Sequence, residues 1–586
     1  MAPLANYPAR SRTILEGLRS ERCGRVLLLL LTLATIGCRQ AATLPVAEDV
    51  PTRKVSSKNL LQFEDVTAQS GVRFSFTTGQ DANHNSILEW LGGGAAVFDF
   101  DLDGNSDLLF AGGGSFQGKQ IVGAPCGLFR NIGRWRYQDV SEIAIGDQAT
   151  YYNHGCQSAD FDNDGFTDLL VTGYGGLKLY HNAGDGTFLE VSKESALDDT
   201  SWSTSAAWGD FNGDGDLDLY VAHYVDWSFE NHPLCAVGDK VDVCPPKRFN
   251  GLADALYVSC SDGSFRNATR EAGLRNDGKG LGVIVADLDR DKDVDIYVAN
   301  DTTDNFLYLN DGDGHLEEAG LLSGVSGDDV GDVNGSMGVD VGDFNQDGLL
   351  DLWVANYVEE PFALYRNYGS GQFQHVSKST GINAFHGLFV GFGTAFIDLD
   401  LDGDEDLVVA NGHVLKYPPT ASLRQLPLVL LNCDTERYER LEFASLDGYF
   451  ATPHIGRGMA IGDLDGDGDS DLVISHIDEP VVLLKNNTPT GSSWFQVRLV
   501  GRTSNRDAIG AALTLHTSQG DQLRVIRGGG SYLSQRDPRL LWGIPASVNV
   551  EKLSVVWPSG IEQEVSPIRL NTTLTLHEPG RGVDES

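Results

Sequence analysis

The chain has 586 residues, 41% hydrophobic and 22% charged, with 69 glycines, 3 methionines and a formal net charge of -40. That charge excludes a basic nucleic-acid footprint and simple attraction to anionic lipid heads. Abundant glycine with few long aliphatic helix formers favours an all-β chain built on many tight turns.

In chain order, Arg10, Arg12, Arg19, Arg22 and Arg25 precede an apolar run, Val26 to Ile36, which ends at Gly37-Cys38. A basic region, a short apolar region and a small-residue end read as a secretory signal over residues 1–38, too short to span a bilayer. Small residues before a cysteine resemble the bacterial lipobox, so Cys38 is the expected lipidated residue; an ordinary signal cleaved near Ala41 or Ala42 is the alternative. Residues 39–58 are polar and read as a tether. The remainder is expected to be extracytoplasmic (secreted, periplasmic or at the cell surface), meeting a membrane only through the lipid. In an oxidising compartment Cys235 and Cys244, nine residues apart in a Pro-containing insertion, are the expected disulfide.

Residues 59–488 hold an internal repeat, Asp-x-Asp-x-Asp-Gly-x-x-Asp or a close relative, seven times. The candidate metal residues are Asp99, Asp101, Asp103, Asn105 and Asp107 in the first copy, and Asp160, Asp162, Asp164, Phe166 and Asp168 in the second. The third has Asp210, Asn212, Asp214, Asp216 and Asp218. The fourth has Asp287, Asp289, Asp291 and Asp295, and the fifth Asp343, Asn345, Asp347, Leu349 and Asp351. The sixth has Asp398, Asp400, Asp402, Asp404 and Asp406, and the seventh Asp463, Asp465, Asp467, Asp469 and Asp471. Carboxylates at positions 1, 3 and 5 of a curled loop can converge on one hard cation. Position 7 offers its backbone carbonyl, and the aspartate at position 9 closes an oxygen shell suited to calcium. Packing so many carboxylates together is repulsive unless a cation lies between them, so several calcium ions, up to seven, are expected. An EF-hand would need a glutamate at position 12 and flanking helices; here position 12 is apolar in most copies, and each loop runs into a β-rich segment such as Asp168-Leu-Leu-Val171. The fourth copy has Lys292 where the turn glycine belongs, and Arg290 inside the loop, so its metal binding is in question. An Asp465→Ala change is accordingly expected to cost more than Asp289→Ala.

A hairpin motif follows each loop, for example Leu128-Phe-Arg-Asn131 and Leu179-Tyr-His-Asn182 with its Gly-Asp-Gly turn. A Gly-rich strand precedes each loop, so every unit reads as four strands. Seven such units predict a seven-bladed β-propeller, and Phe63–Thr67 is expected to complete the last blade. Residues 489–580 lack the loops and read as a small β-sandwich or barrel. Its Gly528–Gly530 run, without a following Lys-Ser/Thr, reads as a strand crossing or bulge rather than a phosphate cradle. The loops resemble FG-GAP/VCBS repeats, the type that builds the integrin α-subunit propeller. Asn505-Arg-Asp-Ala-Ile-Gly-Ala511, Arg527-Gly-Gly-Gly-Ser-Tyr-Leu-Ser-Gln535 and Trp557-Pro-Ser-Gly560 resemble the ASPIC/UnbV domain. Together they are similar to bacterial relatives of cartilage acidic protein, a resemblance that implies an extracellular calcium-binding protein.

Neither a Gly-x-Ser-x-Gly elbow nor a His-Glu-x-x-His motif occurs, and no catalytic residue is assigned. His154, His386 and His454, with Trp202 and Trp208, lie before loops and read first as packing residues. The favoured reading is a binding or adhesion propeller for a protein or carbohydrate ligand. The alternatives are a polysaccharide lyase or hydrolase and a structural envelope scaffold.

Overall fold

The computed structural model describes residues 61–146, 151–385, 387–441 and 448–580; the signal, Cys38, the tether and His386 lie outside them. The fold is all-β: seven four-stranded antiparallel blades followed by a β-sandwich. The innermost strands are Ala95–Phe98, Tyr152–Ala159, Ser203–Gly209, Gly280–Ala286, Val339–Gly342, Gly391–Ile397 and Gly456–Gly462, buried throughout their length. Each neighbours the next in cyclic order, and the seventh meets the first. These strands need glycine because adjacent blades crowd the axis: a Cβ on Gly282 would lie 2.2 Å from the Met337 carbonyl oxygen. Phe63–Asp65 pairs with Val482–Asn486, Phe63 opposite Asn486, so the chain's first described strand completes the seventh blade. This pairing closes the ring, and each blade keeps only a short outer edge.

The sandwich packs Leu540–Ile544, Ser493–Val500 and Thr573–His577 against Gly520–Val525, Ala512–Thr517, Val550–Val556 and Glu562–Val565. Its core, with Phe495, Leu513, Trp542 and Trp557, is continuous with Phe161, Trp208 and Leu217 of the second and third blades.

The segment 527–537 leaves the sandwich and threads the propeller axis. Gly528 and Gly529 pair with Val285 and Ile284 of the fourth blade as a fifth strand, where the sequence suggested a strand crossing or a bulge. Ser531 exchanges both backbone hydrogen bonds with Val339 of the fifth blade, and its hydroxyl donates to Met459 of the seventh. The Leu533 carbonyl accepts from Cys156 of the second blade, and the Leu533 amide donates to Ser205 of the third. Gln535 bonds Ala95 and Val97 of the first, and the Thr394 amide of the sixth donates to Ser531. All seven inner strands thus touch this segment. The backbone groups that an empty channel would leave unpaired are satisfied by it.

On the opposite side of the ring, Cys235–Val237 and Lys240–Asp242 form a hairpin fastened by the Cys235–Cys244 disulfide. The Asp242 carboxylate accepts the amides of Lys416 and Tyr417 at 2.8 Å each. This strap joins insertions of the third and sixth blades across the axis.

Candidate metal centres

Each aspartate loop lies between the first and second strands of its blade. All seven share one hydrogen-bond frame. The amide at position 6 donates to the carboxylate at position 1: Gly104 to Asp99, Gly165 to Asp160, Gly215 to Asp210, Lys292 to Asp287, Gly348 to Asp343, Gly403 to Asp398 and Gly468 to Asp463, at 2.8–3.1 Å. The amide at position 7 donates to the carboxylate at position 5, from Asn105→Asp103 at 2.9 Å to Asp469→Asp467 at 3.1 Å. The fourth loop keeps this frame although Lys292 sits at φ 85°, where the other six have glycine. Its side chain is exposed, as is that of Arg290.

The frame turns carboxylates inward. Asp99, Asp101 and Asp107; Asp160, Asp162 and Asp164; Asp287, Asp289 and Asp291; and Asp398, Asp400 and Asp402 each bring ligand oxygens within 4.8 Å of one another, and His181 joins Asp162 and Asp168 at the same spacing. Apart from His181 these donors are hard oxygens, as calcium requires. Asp160 is 2% exposed, yet its Oδ1 has no hydrogen-bond partner, which fits a group whose partner is a cation. Burial, reinforced by neighbouring carboxylates and opposed by backbone amides, pushes Asp107 and Asp160 up to about 8 and Asp168 to about 9. Asp218 rises to about 7 for the same reason. Carboxylates in this state await a positive charge or a proton.

Position 9 does more than the spacing suggested. Its buried carboxylate clasps two backbone amides: Asp107 accepts from Asn131 at 2.7 Å and Phe100 at 3.1 Å, and Asp168 from Asn182 and Phe161. The hairpin asparagine then bolts one blade to the preceding loop. Asn131 donates to Leu464 O at 3.0 Å, Asn182 to Phe100 O, Asn310 to Phe211 O, Asn367 to Leu288 O, Asn432 to Phe344 O and Asn486 to Leu399 O. In the third blade Ser259 occupies this register. Only the repetition of asparagine in the hairpin motif hinted at this role. Position 7 side chains also join loops: Asn163 donates to Asp216 and Gln346 to Asp404, each at 2.8 Å.

His154, His454, Trp202 and Trp208 are packing residues. His154 is buried, donates Nδ1–H to Gly92 O at 2.8 Å, and burial lowers it to about 4. His454 stacks on Tyr449 at 4.2 Å and bonds Glu479 at 2.7 Å. Trp202 and Trp208 are each 2% exposed.

Comparison with known proteins reads the same two parts. The FG-GAP-like repeat profile matches residues 160–221, 287–354 and 343–409, and the ASPIC and UnbV profile matches residues 501–583. The chain carries FG-GAP-like repeats and an ASPIC/UnbV domain. It is similar to cartilage acidic protein 1 of Xenopus tropicalis, 24% identical over 519 residues spanning 83% of this chain and 73% of that protein. The Mus musculus protein is 25% identical over 525 residues, 83% and 74% of the two chains. Among solved structures, an Agrocybe aegerita lectin that recognises non-reducing terminal N-acetylglucosamine superposes with a TM-score of 0.39 at 17% identity, over 70% of this chain and 90% of that one.

The UnbV domain sits on the loop-bearing face of the FG-GAP propeller. Arg498 lies 3.9 Å from Asp99 and Arg506 3.9 Å from Asp160. The Gly543 amide donates to Asp398 at 3.2 Å, and the Asp160 amide donates to Asp507 at 2.7 Å. A Cβ on Gly215 would meet Thr503 O, and one on Gly468 would meet Trp494. Cys235 and Cys244 are bonded to each other, and among the described residues no helix is long and apolar enough to cross a membrane.

Proposed function

We propose that this protein is an extracytoplasmic, calcium-stabilised binding module whose FG-GAP loops hold calcium and whose ligand is a protein or a carbohydrate. The carrying observation is the shared frame of the seven loops. It brings carboxylate oxygens within 4.8 Å of one another in the first, second, fourth and sixth loops, with Asp160 Oδ1 left for a cation. Position 1, 3, 5 and 9 side chains and the position 7 carbonyl would hold the ion, and position 9 also orients the loop. Calcium supplies charge neutralisation and rigidity here, not chemistry on a substrate. A disulfide-fastened strap supports an oxidising location. The test is thermal unfolding of the purified protein in millimolar calcium and in excess chelator, with bound metal measured. Saturation at about 100 times the dissociation constant stabilises by about 2.7 kcal/mol per site. A melting temperature indifferent to chelator, with no calcium in the protein, would remove the reading.

A second reading, a carbohydrate-active lyase or hydrolase, draws on Asp301 and Glu360, which lie outside the loops. Burial raises them to about 6 and about 7, and the Asp301 charge adds to the rise at Glu360. Tyr224 donates to Asp301 at 2.6 Å. Turnover of an acidic polysaccharide, abolished by Glu360→Gln, would establish it.

A further inference from the structure

One register position separates the seven loops into kinds. It is the residue just before the hairpin asparagine, carried over the loop by the strand that position 9 clasps. In the first blade it is Arg130, which pairs with Asp101 and lies 3.3 Å from Asp103. In the fifth it is Arg366, 2.9 Å from Asp347. In the seventh it is Lys485, paired with Asp465 and 2.7 Å from Asp467. The second blade has His181, 3.2 Å from Asp162 and 3.4 Å from Asp168. The third, fourth and sixth blades have Val258, Leu309 and Leu431, which carry no charge. The cations meet positions 3 and 5, the same carboxylates a metal would need.

We propose that Arg130, Arg366 and Lys485 are tethered counter-cations that compete with calcium at the first, fifth and seventh loops, so that calcium binds preferentially at the third, fourth and sixth. This rests on the calcium reading above. A side chain fixed to the same blade is present at an effective concentration in the millimolar range, comparable to the 0.1–1 mM at which extracellular calcium modules typically fill, so a displacement step of about tenfold in affinity is expected. The second loop, with an imidazole rather than a permanent cation, is intermediate. The ranking drawn from sequence then reverses. The fourth loop keeps its frame, and its own Arg290 and Lys292 face solvent, so Asp289→Ala removes a preferred site. Asp465 already has Lys485 and the Trp135 indole N–H, 2.6 Å from its Oδ2.

The test is calcium binding by equilibrium dialysis and calorimetry on the full chain, wild type against the triple variant Arg130→Met, Arg366→Met, Lys485→Met. The wild type should fill three or four sites first and the others at about tenfold higher calcium. The triple variant should fill every loop but the second, which keeps His181, in one affinity class, melt lower than wild type in chelator, and recover in millimolar calcium. The converse variant Leu309→Lys, which leaves the native cations in place, should lose one tight site. A wild type that fills every loop in a single class, with Leu309→Lys unchanged, overturns the division while leaving the calcium reading intact. A triple variant destabilised equally in calcium and in chelator makes the three side chains packing residues and also overturns it. No bound calcium in any variant would instead defeat the calcium reading itself.

Discussion

Asn367→Ala removes one blade-to-blade bolt. Asn367 is 2% exposed and its Nδ2 donates to Leu288 O of the fourth blade and Leu350 O of its own loop, both at 2.8 Å. Its Oδ1 accepts the Gly369 amide at 2.8 Å. Three neutral hydrogen bonds are worth about 0.5–1.5 kcal/mol each, and a buried carbonyl left without a partner adds to the loss, so a cost of about 2–4 kcal/mol is expected. The third blade supplies the internal control. Ser259 stands at the equivalent register and its hydroxyl accepts only the exposed Ser261 amide at 3.2 Å, so Ser259→Ala should cost less than about 1 kcal/mol. Guanidinium unfolding in saturating calcium, comparing midpoints and slopes, measures both. If the two substitutions cost the same, the asparagine is not a bolt and the loops are not joints between blades.

Lys292→Gly should stabilise by about 1 kcal/mol, because a side chain at φ 85° is replaced by the residue that tolerates it; unchanged denaturant midpoints would refute this. In chelator, stability should rise as pH falls from 8 to 5. Asp107, Asp160 and Asp168 have folded values of about 8, 8 and 9, well above an unfolded aspartate, so the folded state binds more protons across that window. Calcium requires the deprotonated loops, so its stabilising shift should be larger at pH 8 than at pH 5.5, and melting curves at the two values check both signs. Arg527→Ala should cost about 3–5 kcal/mol by stranding Asp340, which is buried and 3.1 Å from the guanidinium, unless Arg536 at 3.5 Å takes over; the double variant separates the two.

The ring, the loops and the closing strand were legible because they repeat. Seven copies in one register fix the position of every blade, and Phe63–Asp65 matches the strand it replaces. The path of residues 527–537 was not legible. Gly528 is glycine because a Cβ there would lie 1.9 Å from Trp208 O, about 320 residues earlier in the chain, and no local pattern carries such a contact. The cations over the loops were missed for a related reason. Arg130 and Lys485 lie 27 and 20 residues beyond Asp103 and Asp465, and only strand pairing shows that they return to the carboxylates. The fourth loop looked defective in sequence because backbone freedom was assigned to glycine alone, whereas a lysine adopts the same dihedral when the frame on either side holds it there.

The position of the UnbV domain constrains what calcium can do. An ion that bridges the protein to an acidic ligand must keep an open coordination position facing solvent. Here Arg498, Arg506, Asp507 and Gly543 lie against the first, second and sixth loops, so on the calcium reading an ion held there would face the protein's own second domain. On that reading calcium would act as a joint within the molecule, and its removal should be felt where the domain enters the ring. Amide exchange of residues 528–535 should quicken in chelator together with the loop amides, because Ser531, Leu533 and Gln535 are held by inner strands whose outer ends the loops fix. Local opening of this kind is read residue by residue in native-state exchange. Faster exchange confined to the loops, with the axial segment unchanged, would show that calcium rigidifies each blade separately. The ions would then be free to serve a ligand rather than the docking of the two domains.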